Sequence, residues 1–176
     1  MKKWYFMSFS LFISSFMVGV ALYSPDLFMS NSAPPSETEV AVGIKDFFHI
    51  ILNNLFVLIT LFLGYFSFGL LSLAALIYNG FMFGIIFTNL YANDIPMGVI
   101  LSGSIFHGII EVTAFIIAGA WGLKGFLLFK DMDEKLGNGR FIKETRFINR
   151  FIYSAVLIII AGTIEYFISF RILGLW

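Results

Sequence analysis

The stretch IPMGVILSGSIFHGIIEVTAFIIAGAWGLKGFLLF, residues 95–129, runs 35 residues with only two charged side chains, Glu111 and Lys124. A helix crosses the roughly 30 Å hydrocarbon layer of a bilayer in about 20 apolar residues. This stretch is long for one span and short for two spans joined by a loop. Its division therefore sets the number of crossings, and with it the side on which every later segment lies.

Composition says that a bilayer is the relevant solvent. Of 176 residues, 59% are hydrophobic and 12% are charged, and mean hydropathy is +0.91. Soluble domains carry about 25% charged residues. The chain reads as an all-α integral membrane protein forming one transmembrane domain over residues 1–176. A net charge of zero gives no electrostatic reason to expect nucleic acid as a partner. The absence of cysteine excludes disulfides, thiolate nucleophiles and thiolate metal sites.

Apolar runs place spans at about 4–23, 46–65, 66–91, 107–129 and 151–170. The first follows Lys2 and Lys3 and reads as a retained helix, because its apolar region is long for a signal peptide and no convincing small-x-small cleavage site follows. The segment GVILSGSIF, at 98–106, holds two glycines and two serines. It reads as part of a re-entrant half-helix over 96–106, before the fourth span. Basic residues support this division. Lys130, Lys135, Arg140, Lys143, Arg146 and Arg150 fall in the polar loop 130–150, and Lys2 and Lys3 precede the first span. Basic loops stay cytoplasmic. Four crossings put the N-terminus and loop 130–150 on the same, cytoplasmic side of the cell membrane. Loop 24–45 and the C-terminus are then external.

Ionisable and amide groups interrupt these greasy segments. They are His49, Asn53 and Asn54 on the second span, Asn79 on the third, His107 and Glu111 on the fourth, and Glu165 on the fifth. At about 1.5 Å per residue, all fall in the middle to outer layer of the bilayer. A charged side chain there costs about 2.5–3.5 kcal/mol on insertion scales. Such groups face the bundle interior and pair, so convergence is expected. His49 with Asn53, and His107 with Glu111, are four residues apart and share a helix face.

Three readings of this constellation remain open. The first is hydrogen-bonded polar glue between helices. The second is a divalent metal site using His107, Glu111 and Glu165, with His49 as a fourth ligand; imidazole and carboxylate donors suit zinc. On that reading the chain is a zinc-dependent membrane hydrolase, peptidase-like, with Glu111 or Glu165 as base. The third is a path for protons or a small solute. No H-E-x-x-H, Walker A or G-x-S-x-G motif is present. Ser102 and Ser104, near His107, read as backbone hydrogen-bonders. Gly80 with Gly84, and Ala118 with Gly122, have the spacing that lets helices approach closely, within one chain or across a homodimer.

NNLFVLITLFLGYFSFG (53–69), YNGFMFG (78–84), FHGIIEVTAFIIAGAWGL (106–123) and AGTIEYF (161–167) resemble, in order and spacing, the stage II sporulation protein M (SpoIIM) family of multi-pass membrane proteins. The resemblance spans about residues 47–168. Members often carry proline where this chain has Phe106. The family's polar positions match Asn53, Asn54, Asn79, Gly80, His107, Glu111 and Glu165. The resemblance implies a bacterial or archaeal membrane subunit that works with other membrane proteins. One setting is cell-envelope remodelling, as in sporulation. The other is the maturation, export or immunity of circular bacteriocins.

Overall fold

The computed structural model describes residues 1–25, 44–129 and 147–172. Among these residues all regular structure is helical. The long helices are α1 (Lys2–Leu22), α2 (Ile44–Leu63), α3 (Leu70–Ala92), α4 (Met97–Gly122) and α5 (Phe147–Ile164). A 3₁₀ segment, Leu123–Phe129, continues α4; a π-helical turn, Glu165–Ser169, and a short α6 (Phe170–Ile172) continue α5. Five segments are long and apolar enough to cross a membrane. Their outer faces carry large apolar side chains, including Phe6 at 74% exposure and Phe56 at 70%. A soluble protein does not expose so continuous an apolar surface.

The fourth span differs from expectation. No half-helix precedes it: α4 is continuous from Met97 to Gly122, and the apolar segment runs to Leu127 over 31 residues. At about 1.5 Å per residue that is about 46 Å, enough to cross with tilt. Two local features keep the helix intact. Pro96 stands at the N-cap, where its missing N–H interrupts no helical bond. The Ser102 hydroxyl donates back to the Val99 carbonyl at 3.1 Å, so it serves the helix instead of breaking it. His107 is therefore mid-helix and is not flanked by free N–H groups. The parity of crossings is unchanged.

Glycine lets α1 and α3 meet backbone to backbone, the most extensive helix contact in the bundle. A Cβ on Gly80 would meet the Phe12 carbonyl oxygen, one on Gly84 that of Phe16, and one on Gly19 that of Phe81. A Cβ on Gly122 would meet Ser72 Oγ and the Leu61 carbonyl. The Gly80/Gly84 and Gly122 faces are thus closed within this chain. Between α2 and α3 the chain reverses in a tight turn, with Phe68 and Gly69 at positive φ and the Gly69 N–H bonded to the Gly64 carbonyl at 2.7 Å.

One end of the bundle is an aromatic knot. Trp121 packs at a tilt against Tyr65 at 4.5 Å and Phe147 at 4.6 Å, and Phe62 meets Trp121 at 5.6 Å. Arg150 Nη1 reaches Met1 Sδ at 3.4 Å, which puts the N-terminus and the start of α5 at the same end. Most of the expected external loop 24–45 and of the basic loop 130–150 lies outside the described residues.

Candidate functional site

The polar residues gather in the half of the bundle away from that knot. His107 and Glu111 project from one face of α4, one turn apart, as their spacing requires. Glu165 is the first residue of the π turn that ends α5. Ligand-capable atoms of the three lie within 4.8 Å of one another. Glu111 is 5% exposed, and His107 and Glu165 are half-buried. Neither carboxylate makes a hydrogen bond among the described residues. His107 Nδ1 lies 2.7 Å from Ser169 Oγ, and Ser169 is 1% exposed.

The register of α4 against α5 explains the grouping. The helices run antiparallel. His107 and Glu111 are four apart on α4, and Glu165 and Ser169 are four apart in the π turn that continues α5. Reversing the direction sets His107 opposite Ser169 and Glu111 opposite Glu165. The π turn falls on this pair of residues; such turns are frequent at functional sites. Phe47 of α2 packs on the turn, with its ring 5.3 Å from that of Tyr166.

A chamber of about 870 Å³ lies beside the cluster, walled by α1, α2, α3 and α4, with Glu165 contributed from the end of α5. It collects His49, Asn53, Asn54, Asn79, His107, Glu111 and Glu165. All seven singled-out polar side chains therefore border one space. His49 is exposed and stands outside the three-residue cluster that it was expected to complete. Asn79 Nδ2 donates to the Ala75 carbonyl at 2.8 Å, so its own helix satisfies part of the amide. Asn53 and Asn54 make no hydrogen bond among the described residues. Most of the wall is apolar. Phe9, Ile13, Ile86 and Ile105 line it and are also exposed, so the chamber opens towards the lipid-facing surface.

Sequence reasoning missed Ser169, the π turn and the part played by α1, whose Phe9, Phe12 and Phe16 form a wall. A signal for Ser169 exists: E-x-x-x-S at 165–169 mirrors H-x-x-x-E at 107–111.

Chemically, a histidine beside two carboxylates in a low-dielectric site can hold a cation, share a proton or hydrogen-bond an incoming polar group. Leaving both carboxylates charged and unpaired is not an option there. This arrangement sits on an all-α bundle of five membrane-crossing helices, which places the chain among multi-pass membrane proteins. The sequence model described as stage II sporulation protein M (SpoIIM) matches residues 8–170, and the chain belongs to that family. An uncharacterized protein of Methanocaldococcus jannaschii is 32% identical over 127 residues, 70% of each chain. No solved structure matches.

Proposed function

We propose that the chain is a SpoIIM-type membrane subunit that assembles with partner membrane proteins by taking an apolar partner segment into its chamber. The setting is cell-envelope remodelling or the maturation, export or immunity of circular bacteriocins. The observation that carries this reading is the chamber itself. It is a cleft of about 870 Å³ that opens towards the lipid-facing surface and has a polar edge, so a segment within the membrane can enter it.

The polar edge argues for a protein occupant over lipid tails. Asn53 and Asn54 border the chamber and make no hydrogen bond among the described residues. An acyl chain offers them nothing. A partner helix carrying serine, threonine or an amide satisfies them at about 0.6–2 kcal/mol per bond.

Photo-crosslinking tests this. A photoreactive residue at Ile105 or Ile86, both on the chamber wall, should give an adduct with a membrane protein or peptide encoded beside this gene. Asn53→Leu with Asn54→Leu should weaken that adduct. Adducts with phospholipid alone would overturn the reading.

A further inference from the structure

We propose that His107, Glu111 and Glu165 bind one divalent transition-metal ion, zinc by donor chemistry, with Ser169 as the positioning residue that orients the imidazole. This goes beyond the subunit reading and does not depend on it.

Charge is the first argument. Two carboxylates and a neutral imidazole carry a formal charge of −2, and a divalent cation brings the cluster to zero. Within a bilayer a neutral assembly is far cheaper than a charged one. One proton leaves a carboxylate negative, and two protons neutralise the cluster only by removing both anionic groups. A divalent ion lets both carboxylates remain ionised with no net charge.

Burial is the second. Glu111 is 5% exposed, points into the cluster and finds no hydrogen-bond donor among the described residues. Buried polar groups are ordinarily partnered, and an exception calls for an explanation. A bound cation supplies one.

Geometry is the third. One donor atom from each of the three residues lies within 4.8 Å of the other two. Zinc at about 2.0–2.2 Å from each donor needs them about 3.3–3.6 Å apart. Rotation about the flexible glutamate side chains closes that difference. The residues also sit on two helices, α4 and the end of α5, which hold them more firmly than a loop would.

Ser169 completes the arrangement. Metal-bound histidine ordinarily donates its second ring N–H to a polar group, which sets tautomer and ring orientation. In the tautomer with its hydrogen on Nδ1, donated to Ser169 Oγ 2.7 Å away, the lone pair for the ion is on Nε2. Three protein donors leave a fourth position to water or to an oxygen donor arriving from the chamber.

The test uses the full chain purified in detergent without chelators, loaded with zinc and desalted, then analysed for metal. Wild type should retain zinc in proportion to protein, and Co²⁺ loaded in its place should show the visible ligand-field bands of a low-coordinate nitrogen and oxygen site. Glu165→Gln, nearly isosteric, should lose the metal. Ser169→Ala should bind 10–100-fold more weakly. His49→Ala should bind as wild type does, since His49 lies outside the cluster. Wild type that retains no zinc after loading would overturn the proposal and leave protons to neutralise the cluster. Retention by Glu165→Gln at the wild-type level would overturn it too. If Glu165→Gln fails to fold, the Co²⁺ bands of wild type and their weakening in Ser169→Ala decide the matter by themselves.

Discussion

His107 Nδ1 and Ser169 Oγ lie 2.7 Å apart across 62 residues of chain, joining the middle of α4 to the π turn that ends α5. The bond lies in the register that sets a His/Glu pair on one helix against a Glu/Ser pair on the other, and Glu111 meets Glu165 in that same register. Within a membrane, side-chain hydrogen bonds between helices contribute about 0.6 kcal/mol on average and up to about 1.7. A double-mutant cycle of His107→Leu and Ser169→Ala, read by unfolding in mixed micelles, should give a coupling energy in that range. Additive single effects would mean that the register is set elsewhere.

The α1–α3 interface yields a second expectation. Small residues at four-residue spacing serve either as an internal seam or as a dimer face. Gly80 and Gly84 are occupied by the backbone of α1. A Cβ at Gly84 collides with the Phe16 carbonyl, which is backbone and has no rotamer to yield. Gly84→Ala should therefore lower stability by about 1–3 kcal/mol, the usual range for overpacking. Gly84→Leu should prevent the monomer from folding. Thermal melts in detergent measure this, and size-exclusion chromatography reports the oligomer. A Gly84→Leu protein of normal stability that loses only its dimer would show that the seam is intermolecular.

Topology supplies the third. Arg150 Nη1 touches Met1 Sδ, so the N-terminus and the start of α5 share one end of the bundle. Lys2 and Lys3 lie at that end too, and basic residues favour the cytoplasm. The chain has no cysteine, so single substitutions can be labelled without background. In intact cells, Ser36→Cys should react with an impermeant maleimide and Asn138→Cys should not. External labelling at position 138 would invert the assignment.

Some of the site was legible because the bilayer makes polar residues conspicuous. His107, Glu111 and Glu165 stand out in apolar runs, and the cost of leaving them in lipid argues that they converge. The four-residue spacing further put His107 and Glu111 on one face. Ser169 was not legible in this way, because serine is unremarkable in a membrane helix. The π turn leaves no mark in hydropathy. The wall formed by α1 was also hidden: Phe9, Phe12 and Phe16 look like ordinary lipid-facing aromatics until α1 is docked on α3. His49 misled for the opposite reason. It has the right chemistry and borders the right chamber, but its own helix leaves it outside the cluster.

The start of α4 is where local composition misled most, and it carries the last expectation. Glycine and serine at 98–104 resemble a turn in water, where both residues favour non-helical backbone. In a membrane the alternative to a helical hydrogen bond is an unsatisfied group in hydrocarbon, so the helix persists. The structure shows α4 already helical at Met97, and a Cβ added to Gly98 or Gly108 would meet nothing within 4 Å. Alanine at either position should therefore fit, and it should remove the entropic disadvantage of glycine in a helix, about 0.5–1 kcal/mol. Gly98→Ala and Gly108→Ala are expected to leave stability unchanged or raise it by up to that amount. A re-entrant turn at 96–106 would behave differently, because Gly98 would then occupy backbone that a Cβ disfavours. Unfolding of the two variants in mixed micelles distinguishes the cases. A loss of more than about 1 kcal/mol in Gly98→Ala, with Gly108→Ala unaffected, would restore the broken helix.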